Sequence, residues 1–125
     1  MRYLRFESQV PYEGASSRLG IFQIAYRLRD ADDTRVHDAN EIARLLLWLK
    51  THLHAPEELS LDANKRAICW FKSAAHEPMK RMWHLKAIVE VYGYWISVKK
   101  TREPGLIIYE DGWQVAAIPR TRRPN

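Results

Sequence analysis

From Ala67 to Ile118 the apolar residues change their spacing repeatedly, and no other feature of the chain constrains its fold as much. Ala67-Ile68-Cys69-Trp70-Phe71 is a continuous apolar run bracketed by Arg66 and Lys72, which suits a strand covered on both faces. Met82, Leu85, Val89 and Tyr92 then recur at helical spacing, so a helix buries one side there. From Tyr94 the period falls to two, with Tyr94, Ile96 and Val98 alternating against Trp95, Ser97 and Lys99. Gly93 separates the two patterns as a helix stop, because glycine enters the left-handed conformation without a Cβ penalty. Glu103-Pro104-Gly105 is a turn, Leu106 to Tyr109 a strand, and Trp113 to Ile118 the last strand. Between those two strands Asp111-Gly112 has the composition of a two-residue hairpin in which both residues take positive φ. The section from Ala67 to Val98 is expected to form a right-handed parallel crossover.

The first half of the chain is more helical. Residues Tyr3 to Ser8 alternate as a strand, with Leu4 and Phe6 on one side. A loop follows, and Ser16 or Ser17 is expected to cap a helix carrying Ile21, Ile24, Ala25 and Leu28. Asp38 and Glu41 stand at capping-box spacing before Ile42, Leu45, Leu46, Leu49 and Leu53, a stripe widened by Leu47 and Trp48. Pro78 falls in the early part of the third helix, which Ser73 is expected to cap. The order β-α-α-β-α-β-β-β implies one α+β domain over residues 1–118: a mixed sheet of about five strands under three helices, ending in an antiparallel meander. Residues 119–125 form a basic tail, expected to be mobile.

Composition narrows the functional classes. A single cysteine in 125 residues excludes an intrachain disulfide framework and any multi-cysteine zinc cage. No apolar run reaches the roughly 18 residues of a membrane span, and the first residues lack the apolar core of a signal peptide. A cytoplasmic protein without membrane contact is expected. Charge is lopsided: nine basic and ten acidic side chains precede Arg66, whereas eleven basic and five acidic follow from it onward. A cationic half points to an anionic partner.

Two places gather the candidate binding residues. Lys72, Ser73 and His76 stand where a strand passes into a helix, and helix N-termini attract anions. Lys80, Arg81 and His84 share a side of the third helix, and Lys99, Lys100 and Arg102 together with Arg120, Arg122 and Arg123 extend a cationic surface. Trp83, Trp95 and Trp113 lie near these positions, as bases stacking on aromatic rings would require, although burial accounts for them equally well.

Other chemistry is unsupported. There is no glycine-rich phosphate loop, no H-E-x-x-H spacing among the histidines, no EF-hand pattern around Asp30, Asp32 and Asp33, and no G-x-S-x-G serine. No metal and no cofactor are expected. His52 and His54 suit the end of a helix, where a cation complements the dipole. Cys69, inside its apolar run, reads as an inert buried thiol. Glu7, Glu13 or Glu110 with His76 would be the acid–base groups of an enzyme, but no spacing pairs them.

The expectation that follows is a small interaction or regulatory domain that binds an acidic protein or a nucleic acid through its basic C-terminal half. The alternative is an enzyme acting on an anionic small molecule near Lys72, Ser73 and His76. Catalytic residues and oligomeric state are left open.

Overall fold

A nine-residue strand, β1 (Tyr3–Pro11), organises the sheet because it has partners on both edges. The computed structural model describes residues 2–11 and 18–120. After β1 come the short β2 (Arg18–Gly20), α1 (Ile21–Asp30), α2 (Val36–His52), two 3-10 turns (Glu57–Ser60 and Asp62–Asn64), β3 (Ile68–Lys72) and α3 (His76–Val91). The chain closes with β4 (Ile96–Thr101), β5 (Leu106–Glu110) and β6 (Gln114–Ile118). An α+β domain with three helices and the expected element order is what the residues form, with β2 as a small addition. Among the described residues no helix is long and apolar enough to cross a membrane.

Along one edge of β1 the register with β4 runs from Tyr3↔Thr101 to Ser8↔Ile96. Along the other, β3 pairs only at Tyr3↔Lys72 and Leu4↔Phe71, and β2 takes over from Glu7↔Gly20. β6 lies between β3 and β5. Every pairing is antiparallel, so the sheet is not mixed. β3 and β4 do run parallel to each other across α3, since both oppose β1, but β1 lies between them. The C-terminal meander also needs correction. β5 and β6 form a hairpin, whereas all six residues of β4 pair with β1, whose length offers a complete partner.

The link from Thr101 to Leu106 therefore joins opposite edges of the order β4-β1-β3-β6-β5. Four strand spacings would measure about 19 Å if flat, and five Cα steps reach at most about 18 Å. The sheet must curl. Tyr3, Val115 and Ala117, which alternate with the helix-facing residues, are buried outside the helix-side core, consistent with a curled sheet. Gly105 makes the link possible: its φ is +116°, and a Cβ there would collide with the Ile118 carbonyl.

On the other face Leu4, Phe6 and Ile96 pack against Ile24, Ala25 and Leu28 of α1, Ile42, Leu45, Leu46 and Leu49 of α2, and Met82, Leu85 and Val89 of α3. These are the stripes read from the periodicity, except that Leu47 is exposed. The expected caps are replaced. Gly20, not Ser16 or Ser17, precedes α1, its N–H donating to Gln23 Oε1 at 2.9 Å; the two serines lie outside the described residues. Helix α2 begins before Asp38, which becomes a first-turn acceptor, while Glu41 pairs with Arg44 at 2.5 Å. Ala75 precedes α3, because Ser73 is held in the turn by its N–H to the Arg2 carbonyl (2.9 Å). At the β5–β6 hairpin neither Asp111 nor Gly112 has positive φ. There the Asp111 carboxylate accepts the N–H groups of Trp113 and Gln114 at 2.8 and 2.9 Å, and the side chain, not the backbone type, holds the turn.

Candidate functional site

The turn from β3 into α3, the start of β1 and the end of β4 meet at one surface depression of about 490 Å³. The pairings Tyr3↔Lys72 and Tyr3↔Thr101 bring the three segments together. Arg2, Ser73, His76, Lys80 and Lys100 supply its polar rim, with Leu4, Met79 and Trp83 as the apolar part. His76 and Lys80 are one turn apart on α3, so both face the same way. Lys100 stands opposite Leu4 on the helix-facing side of β4. Trp83 is 44% exposed, and the edge contact of its ring with Phe6 (centroids 5.2 Å apart) fixes its orientation.

No carboxylate lines this depression among the described residues. Among the described residues neither Arg2 nor Lys100 has an ion pair. Lys80 Nζ lies 3.4 Å from Glu77, but that carboxylate is engaged more closely by Arg81 at 2.8 Å. The Arg81 bond, and then that of Lys80, hold the Glu77 carboxyl below its ordinary range.

The depression unites part of each sequence-derived group and leaves the rest elsewhere. Ser73, His76, Lys80 and Lys100 converge. Lys72 points away from the helix-side core beside its neighbour Phe71 and is tied to Glu110 at 2.6 Å. Arg81 turns toward α2, where its guanidinium carbon sits 3.6 Å from the centroid of the Trp48 ring. His84 lies toward Glu41 of α2 and does not line the depression. Lys99 is opposite Arg5 on the other face of β4 from Lys100. Arg102 and Arg120 are exposed and do not line the depression, and Arg122 and Arg123 lie outside the described residues.

Arg2 and Met79 were not legible as site residues. Arg2 arrives through the β1–β3 register, which no local pattern encodes. Glu7 bonds to Arg5 at 2.6 Å and Glu110 to Lys72, so neither faces His76, and Glu13 lies outside the described residues.

Cys69 corrects a second expectation. It is exposed, because β1 leaves β3 after Leu4↔Phe71 and uncovers that stretch of strand, although partial burial still pushes its thiol pKa up. His52 behaves as a helix-end residue: its Nδ1 lies 2.8 Å from the Trp48 carbonyl, and its ring stacks on the Trp48 indole. Among the described residues no group of three or more His, Cys, Asp and Glu side chains is placed to hold a metal ion.

No family model, no curated protein and no solved structure matches this chain.

Proposed function

We propose that this protein is a binding module for single-stranded nucleic acid, which it engages at the depression formed by Arg2, Ser73, His76, Lys80 and Lys100. The observation that carries the reading is the convergence of three cations from separate segments around an exposed indole, with no lining carboxylate among the described residues. Cations neutralise phosphates, and a fixed aromatic face stacks an unpaired base; the two together favour nucleic acid over an acidic protein. The Ser73 hydroxyl and the His76 imidazole add hydrogen-bonding groups beside the cations. A single free cysteine fits the reducing cytoplasm in which such a module would meet its ligand.

The alternative of an enzyme at Lys72, Ser73 and His76 has less support, since the ion pair with Glu110 takes Lys72 out of the group.

Fluorescence anisotropy with labelled single-stranded RNA and DNA oligonucleotides tests the reading. Three phosphate contacts give a log–log salt slope of about −2, at roughly −0.7 per contact on a single strand. Lys80→Glu with Lys100→Glu should abolish binding, and Trp83→Ala should weaken it with little change of slope. No binding at low salt, or a slope unchanged in the double variant, overturns it. Selective binding of a polyglutamate peptide instead would assign the surface to an acidic protein.

A further inference from the structure

We propose a second binding site, for a free aliphatic monocarboxylate, in an apolar groove that opens where the sheet parts between β1 and β3. This proposal is independent of the basic depression. Pairing of β1 with β3 stops at Leu4↔Phe71, and β2 joins β1 only at Glu7↔Gly20. Between those points the edge of β1 at Arg5 and Phe6 has no strand partner among the described residues. Over the same stretch Cys69 and Trp70 pair only with β6. The topology thus cuts a gap into the sheet, and α2 lies behind it.

The groove measures about 510 Å³, within the roughly 300–1,000 Å³ of small-ligand sites. Leu46 and Leu49 of α2 and Leu53 just after it line the groove with Phe6, Trp70 and Met82. A wall of leucine, methionine and aromatic carbon suits an aliphatic chain and offers almost nothing to a polar body. The charges set the head group. Arg5, Lys50 and His54 border the groove, and no carboxylate lines it among the described residues. Arg5 is committed to Glu7 at 2.6 Å, whereas Lys50 is exposed on α2 and has no ion pair among the described residues. One uncompensated cation beside a carbon trough complements one negative charge on an apolar tail.

Cys69 lines the groove, is exposed, and is the chain's single cysteine, so its alkylation reports on occupancy. The rate of modification by N-ethylmaleimide is measured by mass spectrometry on the full chain, with monomeric dodecanoate or with dodecyltrimethylammonium. At ten times its Kd, dodecanoate should slow alkylation about tenfold by mass action, and the cationic amphiphile at equal concentration should not. Lys50→Glu, at an exposed position, should raise the half-protecting dodecanoate concentration by about fivefold, the scale of one solvent-exposed ion pair, with unchanged thermal melting. Absence of protection, equal protection by the two amphiphiles, or an unaltered half-protecting concentration in Lys50→Glu overturns the proposal. Faster alkylation, the mark of a detergent loosening the fold, overturns it as well.

Discussion

The hydroxyl of Tyr92, at the C-terminal end of α3, donates a hydrogen bond to Asp38 in the first turn of α2 at 2.5 Å. The same oxygen accepts the Arg35 N–H at 3.1 Å, so the end of one helix serves as the cap of another. An orphan backbone donor is satisfied by a residue 57 positions away in sequence. Tyr92→Phe should lower the melting temperature, and Asp38→Asn should do so as well. The double variant should lose little more than the worse single one, because both changes break the same link. Full additivity in thermal melts would show that the two residues act separately.

Leu85 is fully buried where α3 meets the other two helices and the sheet. Leu85→Ala should cost about 2–5 kcal/mol in urea unfolding, the range for a truncated core leucine. A loss under about 1 kcal/mol would mean that this part of the core is not tightly packed.

Two glycines with positive φ should respond differently to alanine. At Gly93, φ is +89° and nothing stands within 4 Å of an added Cβ, so only the backbone penalty applies, about 1 kcal/mol. At Gly105 the Cβ would also strike the Ile118 carbonyl, so Gly105→Ala should destabilise well beyond Gly93→Ala. Equal melting of the two variants would contradict the tight link between the sheet edges.

The β5–β6 hairpin carries a pH signature. Burial opposes ionisation of Asp111, but the N–H groups of Trp113 and Gln114 and the Tyr109 hydroxyl outweigh it and lower its pKa. A depressed carboxyl contributes stability above its unfolded pKa and loses it as pH falls through the folded value. Asp111→Asn should therefore flatten the acid limb of stability below about pH 4. The Asp111 hydrogen bond in turn raises Tyr109 to about 12. Its stabilising effect is complete below the unfolded tyrosine value near 10 and fades as pH rises through the folded one. The Tyr92 hydroxyl, bonded to Asp38, is raised too, so absorbance titration at alkaline pH should show late-ionising tyrosines, of which the Tyr109 share moves earlier in Asp111→Asn.

Some of this protein could be read from local pattern alone. Ile24 and Leu28, Ile42 and Leu49, and Met82, Leu85 and Val89 are buried where helical spacing put them. Gly93 has the positive φ expected of a helix stop. The caps failed as a group. Ser, Asp and Glu at suitable spacings are permissive signals; here Gly20 precedes α1 and bonds to Gln23, the Tyr92 hydroxyl takes the Arg35 N–H ahead of α2, and the Arg2 carbonyl holds Ser73 in the turn before the cap of α3. In the basic set, Lys80 and Lys100 approach one depression, whereas Lys72 and Arg81 are drawn off by Glu110, Glu77 and Trp48.

Periodicity, a short-range property of which side chains must leave water, was sufficient to determine the helices, the long strands and the α+β class. Strand partners were decided only in three dimensions. Which edge β4 occupies, where β1 parts from β3, and whether the sheet curls depend on pairing between residues far apart in the chain, where many registers satisfy the same alternation. Both proposed sites arise from that pairing: Arg2 and Lys100 meet Ser73 because β1 lies between β3 and β4, and Cys69 is uncovered because β1 and β3 separate after two residue pairs.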